Sequence, residues 1–334
     1  MHKPPYATEV KPYGRALVEL AERRDDVICL SGDLTRQTEI DLFQERFPER
    51  FVHAGMAEAN MISMAGAMAR EGLQPFVHTF GVFATRRPYD QIVNAVAYPN
   101  LPVRLVGFMP GISSPGGPSH QAIEDVAIMR ALPNFTVIDV ADAVEIAQVV
   151  PQLATIPGPV YLRLKRGEIP VIFEEDHKFR LDEAHVLTEG DDVALVTNGM
   201  MLAASLDAAR TLADAGIGVR IVHVPVVKPL DAATIRQAVE QTRVVVTAEN
   251  HSVIGGLGSA VAEVVAEAGL GRPLRRVGMQ DTFAEGSRTA PYLFEKYGLS
   301  TQALIDAIWA HLRRDGAAPI AERHELAVGE YQPV

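Results

Sequence analysis

The chain has 334 residues, which by the soft rule of roughly 150 residues per domain indicates about two domains. Hydrophobic residues make up 48% and charged residues 22%, a composition that excludes a disordered or fibrous chain. Acidic residues number 42 against 31 basic ones, and the resulting net charge of −11 disfavours nucleic acid as a partner.

The N-terminal residues and the single cysteine exclude further classes of protein. Residues 1–11 lack the apolar core of a secretory signal, and no window reaches the roughly 18 uninterrupted apolar residues of a membrane span. Cys29 stands alone, which excludes an intrachain disulfide and a cysteine-rich zinc site, and its apolar neighbours predict a buried strand position. We therefore expect a cytoplasmic protein with no membrane partner.

The first half of the chain alternates short β-branched runs with longer Ala-rich segments of helical period. Strands are predicted at residues 27–30, 103–106, 136–138 and 160–164. Helices are predicted at residues 59–70, 89–98 and 143–153. Such alternation predicts an α/β fold with a mostly parallel sheet covered by helices on both faces.

A second, smaller α/β unit follows the polar residues 173–192. Its predicted strands are residues 193–197, 219–224 and 243–248, and its predicted helices are residues 201–215, 231–240, 258–268 and 301–312. We place the boundary near Asp182, which divides the chain into domains at residues 1–181 and 182–315 and leaves residues 316–334 as a tail without clear period.

A carboxylate follows the first glycine-containing turn. Residues 51–61 run from an apolar stretch through Gly55 into a helix, so Glu58 falls in the first helical turn. One interpretation is a carboxylate that lies near the positive end of the helix and is open to water. The other is a carboxyl group in an apolar pocket that exchanges a proton with a ligand nitrogen.

An aromatic pair lies in the next block, residues 78–91, which leaves a strand and enters a helix. Phe80 and Phe83 could flank a planar ring, although bare Phe residues are more often part of a core. Arg86 and Arg87 are either an anion-binding pair or a solvated pair.

A Gly-, Pro- and Ser-rich loop at residues 110–119 precedes His120. Loops at the carboxyl ends of strands are where α/β sheets place ligands. His120 is therefore a candidate hydrogen-bond donor or acid–base group, and the alternative is a surface histidine that caps a turn.

In this order, the three blocks resemble the C-terminal half of transketolases, where a thiamine diphosphate pyrimidine-binding domain precedes the transketolase C-terminal domain. Residues 55–58 (GMAE) match the family's glutamate motif, residues 80–91 its aromatic cofactor segment, and residues 117–125 its substrate-histidine loop. Residues 164–166 (LKR) are similar to its phosphate-binding arginine segment. Further similar strings are residues 228–231 (KPLD), 249–251 (ENH) and 255–258 (GGLG), so the resemblance covers nearly the whole chain.

The resemblance implies that part of the active centre comes from another chain. In complete transketolases an N-terminal domain holds the diphosphate of thiamine diphosphate and a divalent metal, Mg²⁺ or Ca²⁺, through a Gly-Asp-Gly motif and a downstream asparagine. No Gly-Asp-Gly occurs in this sequence. We therefore expect a split enzyme in which this chain forms a homodimer, ligates no metal, and joins an N-terminal subunit in an α2β2 assembly.

The family's reaction moves a two-carbon ketol unit from a ketose phosphate to an aldose phosphate. The resemblance implies that Glu58 exchanges a proton with the pyrimidine ring of the cofactor and that His120 acts in catalysis on the donor hydroxyls. The other implied roles are cofactor binding by Phe80, Phe83, Arg86, Arg87 and Asp33, and substrate binding by Ser119, Arg166 and His120.

Two departures from the family's pattern concern the donor sugar. Gly116 stands where the family usually has an acidic residue, and residues 108–110 (FMP) stand where it often has a histidine. Losing two polar donor-binding groups suggests an unusual donor, such as a branched or otherwise modified ketose phosphate.

Two rival functions remain. The β subunit of a 2-oxoacid dehydrogenase's decarboxylating component shares this length and two-domain plan and uses the same glutamate chemistry. A non-catalytic dimeric scaffold subunit is the second, and Glu58 together with Phe80 and Phe83 argues against it.

Overall fold

A computed structural model describes residues 1–314; the end of the predicted second domain at residue 315 and the predicted tail at residues 316–334 lie outside the described residues. The strands are β1 (Thr8–Val10), β2 (Val27–Ser31), β3 (Phe51–His53), β4 (Gln74–Phe80), β5 (Arg104–Phe108), β6 (Thr136–Asp139), β7 (Val160–Leu164), β8 (Glu168–Pro170), β9 (His185–Val186), β10 (Val193–Thr197), β11 (Val219–His223), β12 (Val226–Lys228), β13 (Val244–Ser252) and β14 (Leu274–Met279).

The helices alternate with these strands. They are α1 (Pro12–Arg23), α2 (Asp41–Arg46), α3 (Glu58–Arg70), α4 (Gly81–Thr85), α5 (Tyr89–Gln91), α6 (Asp125–Arg130), α7 (Ala143–Leu153), α8 (Met201–Asp214), α9 (Ala232–Glu240), α10 (Leu257–Glu267), α11 (Ala290–Lys296) and α12 (Thr301–Arg314). Short 3₁₀ segments occupy Pro48–Arg50 and Pro118–His120, and Ile92–Ala97 is a π-helix.

The first sheet has seven strands in the order β12-β6-β7-β5-β4-β2-β3. All its pairs are parallel except β12 with β6. Because β12 comes from the second half of the chain, a strand beyond residue 182 completes the first sheet. Parallel strands end at one edge, so the loops after β2, β3, β4, β5 and β7 meet there.

Side chains of the first sheet alternate between two cores, as the strand period of two requires. Val27 and Cys29 pack with residues of α1 and α7, whereas Leu30 packs with residues of α3. Cys29 is buried, which confirms its predicted environment. Helices therefore cover both faces, as predicted for a parallel sheet.

The second sheet has five strands in the order β14-β13-β10-β11-β9, parallel except at the β9 edge. Residues of α8 and α12 pack on one face, and residues of α9 and α10 pack on the other. Both sheets are thus α/β layers, which agrees with the predicted fold class.

Some elements differ from the sequence prediction. The predicted helix at residues 89–98 is a single α-helical turn followed by the π-helix. Strand β14 was not predicted, because Arg275 and Arg276 interrupt its apolar run; β14 lies at a sheet edge, where charged side chains remain accessible. Among the described residues, no helix is both long and apolar enough to cross a membrane.

Candidate functional site

The sequence-predicted residues lie at the carboxyl edge of the first sheet. Asp33 follows β2, Glu58 follows β3, Phe80 ends β4, the loop with His120 follows β5, and Arg166 follows β7. Contacts join only some of them: Glu58, Arg87, Phe83 and His120 form a continuous chain of side-chain contacts. Phe80 contacts this chain through Phe83, and Ser119 contacts it through His120.

Glu58 is the first residue of α3 and is only 4% exposed. The preceding turn passes through Gly55 at φ +70°, a conformation that suits glycine. The carboxylate accepts a hydrogen bond from Arg87 Nη1 at 2.7 Å. The first turn of a helix is a favourable position for a negative charge. The Glu58 carboxylate is nevertheless not open to water, so the structure excludes that interpretation.

Arg87 contacts two of the predicted cofactor residues at once. Its guanidinium carbon lies 4.1 Å from the centroid of the Phe83 ring while it donates to Glu58. The Phe80 and Phe83 rings are stacked, with centroids 6.0 Å apart and an interplanar angle of 26°. The ring face of Phe83 and the carboxylate of Glu58 therefore bind one planar group that carries N–H donors, the guanidinium of Arg87.

Arg86 makes different contacts from those of Arg87. It forms an ion pair with Glu124 and donates to the carbonyl oxygens of Pro118 and Gln121, each at 2.9 Å. Its guanidinium thus holds the histidine loop in place, and the alternative of a solvated arginine pair does not describe it.

His120 ends the short 3₁₀ segment of this loop and is half-buried. Its Nδ1 lies 2.9 Å from Ser119 Oγ, and its ring meets the Phe83 ring edge-on at 5.3 Å between centroids. With Nδ1 engaged by the hydroxyl, Nε2 is the ring atom left to contact a ligand.

Asp33 and Arg166 stand apart from this group in the single chain. Asp33 has φ +67°, and its Oδ1 lies 3.2 Å from Nε2 of His53, with both side chains about half exposed (52% and 49%). Arg166 is exposed, and its side chain forms no hydrogen bond or ion pair with any residue of 1–314.

Asn250 fixes the histidine loop from the second sheet. Its Oδ1 accepts from the backbone N–H of Ile112 and its Nδ2 donates to the carbonyl oxygen of Pro110, both at 3.0 Å. Gln121 Nε2 donates to the carbonyl of Glu285, a second link to the C-terminal half. The ENH string had marked Asn250, but sequence reasoning gave it no role.

A buried charge network lies beneath the loop and was also missed. Arg163 donates to both oxygens of Asp125 at 2.8 and 3.0 Å, to Asp139 at 3.0 Å, and to the carbonyl of Asn250 at 2.8 Å. Burial acts against charge on Arg163, but the two carboxylates hold its pKa above the ordinary value. Sequence analysis selected Arg166 in the adjacent LKR string and overlooked Arg163, because no sequence pattern marks an arginine inside a buried strand.

Metal-ligating side chains cluster elsewhere. Within residues 1–314, the one group of three or more His, Cys, Asp or Glu side chains close enough to share an ion consists of Glu145, His177 and His185. None of these belongs to the carboxyl-edge group.

Two family models match this chain. The one described as "Transketolase, pyrimidine binding domain" matches residues 8–171, and the one described as "Transketolase, C-terminal domain" matches residues 182–304. Together they span most of the chain.

Similar proteins include relatives that this chain matches over most of their length. A putative uncharacterized transketolase family protein of Sinorhizobium fredii is 45% identical over 90% of this chain and 88% of its own. A 6-deoxy-6-sulfo-D-fructose transketolase subunit of a Clostridium species is 42% identical over 88% of this chain and 91% of its own. A solved structure described as a split gene transketolase, inactive beta4 tetramer, superposes with a TM-score of 0.84 at 41% identity and covers 92% of this chain and 99% of its own.

Proposed function

Because the chain belongs to the transketolase family, we propose that it is the pyrimidine-binding subunit of a split, thiamine diphosphate-dependent transketolase. In the proposed reaction a two-carbon ketol unit passes from a ketose phosphate to an aldose phosphate. The observation that carries the proposal is the group formed by Glu58, Phe83 and Arg87.

The residues present fit the aminopyrimidine of thiamine diphosphate. In this structure Glu58 and Phe83 already bind a planar, N–H-bearing group, the guanidinium of Arg87. An aminopyrimidine presents the same two features, a flat π-face and ring-edge hydrogen-bonding atoms. We infer that Phe80 and Phe83 hold its face and that Glu58 holds its edge.

The cofactor, when bound, supplies a carbon nucleophile for cleavage and formation of carbon–carbon bonds. The proposed role of Glu58 is to hold and return a proton at a pyrimidine nitrogen, which an amide could not do. Phe80 and Phe83 exclude water from this proton transfer. His120 Nε2 contacts donor hydroxyls, with Ser119 fixing the imidazole ring through Nδ1.

Arg166 is proposed to bind the terminal anion of the sugar. It is an exposed guanidinium at the carboxyl end of β7, and a guanidinium binds a tetrahedral oxyanion through a two-pronged hydrogen bond. The name of the Clostridium relative refers to a sulfonated fructose. The donor of this chain is therefore proposed to be a modified ketose with a phosphate or sulfonate terminus, consistent with the departures at Gly116 and residues 108–110.

The diphosphate and its metal, Mg²⁺ or Ca²⁺, are assigned to an N-terminal partner subunit. Three points support this: the sequence lacks Gly-Asp-Gly, the Clostridium relative is named as a subunit, and the 41%-identical structure comes from a split gene. The proposed working assembly is α2β2, built on a homodimer of this chain.

The test combines this chain with its N-terminal partner, thiamine diphosphate and Mg²⁺. Aldehyde release and ketol transfer are measured with xylulose 5-phosphate, branched ketose phosphates and a sulfonated ketose, and carbon dioxide release is measured with 2-oxoacids. Ketose cleavage that needs both subunits supports the proposal. Decarboxylation of 2-oxoacids without ketose cleavage identifies the dehydrogenase-type rival, and equal turnover of every ketose removes the argument for an unusual donor.

A further inference from the structure

Four ionisable side chains converge at the junction between the two halves, away from the carboxyl-edge group. Glu145 comes from α7, His177 from the segment between β8 and β9, His185 from β9, and His223 from β11. One ligand atom from each of Glu145, His177 and His185 lies within 4.8 Å of the other two.

Three imidazole nitrogen atoms in this cluster are buried and have no hydrogen-bond partner among the described residues. They are Nε2 of His177, Nε2 of His185 and Nδ1 of His223. Nε2 of His177 lies within ion-pair distance of Glu145 Oε1, at 3.5 Å. The nearby Glu145 side chain is fully buried. Buried polar atoms in proteins are nearly always paired with another polar atom, a water or an ion, so unpaired imidazole nitrogens beside a buried carboxylate favour a bound ion at this cluster.

Surrounding contacts fix the positions of His177 and Glu145. The His177 ring stacks on buried Phe173 with centroids 3.8 Å apart and an interplanar angle of 9°, and Gln148 donates to the His177 carbonyl at 2.8 Å. His223 Nε2 lies 3.0 Å from both oxygens of Glu145, so His223 holds the carboxylate in place.

We propose that this cluster is a binding site for a divalent transition-metal ion of the Zn²⁺ type, with Glu145, His177 and His185 as ligands and His223 as the residue that orients Glu145. A tetrahedral zinc site with bonds of about 2.05 Å separates its ligand atoms by roughly 3.3 Å. His177 Nε2 and Glu145 Oε1 are already 3.5 Å apart. Carboxylates that ligate a metal are themselves hydrogen-bonded by outer residues, which is the role of His223 here.

The donor set discriminates between metals. Two imidazole nitrogens and one carboxylate suit Zn²⁺, Co²⁺ or Ni²⁺, whereas Mg²⁺ and Ca²⁺ prefer oxygen ligands. The site is therefore chemically distinct from the Mg²⁺ or Ca²⁺ site proposed on the partner subunit. The ion ties α7 of the first sheet to β9 of the second through the connecting segment, so its role is to fix the junction.

The test uses the untagged full chain after treatment with a chelator and dialysis. Titration with Co²⁺ is expected to give about one equivalent per chain, with visible absorption bands of a low-coordinate site, and Zn²⁺ is expected to displace Co²⁺ while Mg²⁺ is not. His177→Gln and His185→Gln should each weaken Co²⁺ affinity at least tenfold. His2→Gln, at an exposed histidine, is the matched control and should bind as the unaltered chain does.

Folding is checked separately, because Glu145 is buried and paired with His223. His177→Gln is used for this check because the His177 side chain is more accessible than that of Glu145. Circular dichroism and thermal unfolding of the metal-free variant establish that loss of the ion is not loss of the fold. Zn²⁺ should raise the midpoint of unfolding of the unaltered chain and leave that of the His177→Gln, His185→Gln double variant unchanged. The proposal is overturned if no stoichiometric Co²⁺ or Zn²⁺ binding occurs, or if the double variant binds as well as the unaltered chain. These readouts need no catalytic activity, so the outcome does not depend on the proposed function.

Discussion

Arg87 Nη1 lies 2.7 Å from Glu58 Oε1, and the same guanidinium covers the face of Phe83. The proposed aminopyrimidine needs both surfaces. Arg87 therefore has to leave Glu58 when the cofactor binds, and the ion pair competes with the cofactor.

Replacing Arg87 should consequently improve cofactor binding. An ion pair with one half-exposed partner contributes about 1 kcal/mol or less, which corresponds to roughly fivefold in affinity. Arg87→Ala is expected to bind thiamine diphosphate up to about fivefold more tightly, measured by calorimetry on the assembled enzyme.

Arg86→Ala is the matched control for this experiment. Arg86 does not contact Glu58 and instead holds the histidine loop through Glu124 and Pro118. Its loss should leave cofactor affinity unimproved and raise the KM for the donor sugar. Weaker cofactor binding by Arg87→Ala would show that Arg87 itself binds the cofactor.

Glu58→Gln tests the proton-transfer role directly. The amide keeps the size of the side chain and can still accept from Arg87, but it cannot exchange a proton. Loss of general acid–base catalysis typically costs 10²–10⁴-fold, so kcat of the assembled enzyme should fall by at least about 100-fold with little change in thermal stability.

Glu58→Asp should recover part of this loss, because it restores an ionisable group at a slightly different distance. Steady-state kinetics of the two variants in parallel give the comparison. If Glu58→Ala leaves turnover unchanged, the non-catalytic scaffold becomes the better description.

Much of the layer architecture follows from local sequence. Strands at residues 160–164 and 193–197 and the helix at residues 143–153 have the predicted bounds. Each follows directly on a residue that marks its start, namely Pro159, Asp192 and Asp142. The predicted helix at residues 89–98 becomes partly π-helical, a local change of hydrogen-bond register that apolar periodicity does not encode.

The site is harder to predict than the fold. Sequence patterns placed Glu58 and Phe83 in the right kind of element, but the contact of Arg87 with both depends on how α3 and the segment after α4 face each other. The contact between Asn250 and Pro110 is still harder to predict, because 140 residues separate the two in the sequence. Such contacts follow from sheet order, which the alternation of strands and helices leaves open.

Asn250 gives a prediction that reaches across the two halves. Asn250→Ala leaves the buried N–H of Ile112 without its partner, whereas the carbonyl of Pro110 still accepts from Ser113. One unpaired buried group costs about 1–3 kcal/mol. The free energy of unfolding in urea should fall by that amount, and the KM for the donor should rise because the histidine loop is less fixed. Gln302→Ala, at an exposed amide on α12, should change neither quantity. A stability loss without a change in KM would restrict Asn250 to a purely structural role.

Glu249 makes the stability of the chain depend on pH. Burial raises the pKa of its carboxyl to about 7, although the backbone N–H groups of Leu257 and Gly258 act to lower it. The folded chain therefore binds this proton more tightly than the unfolded chain, whose Glu pKa is 4.5. The stability contributed by the proton is fully present below pH 4.5 and is lost as pH rises through about 7.

Glu249→Gln should flatten this part of the pH profile. The amide stays neutral, but its single oxygen can accept from only one of the two N–H groups of Leu257 and Gly258, which lowers stability equally at every pH. The fall in unfolding free energy from pH 5 to pH 8 should be smaller by up to roughly 3 kcal/mol. Glu39, whose pKa burial also raises to about 7, leaves a slope in both proteins, and the difference between them isolates Glu249. Glu267→Gln, an exposed position on the same helix, should retain the slope of the unaltered chain. Identical slopes for Glu249→Gln and the unaltered chain, measured by urea unfolding at each pH, would mean that Glu249 is ionised throughout this range in the folded state.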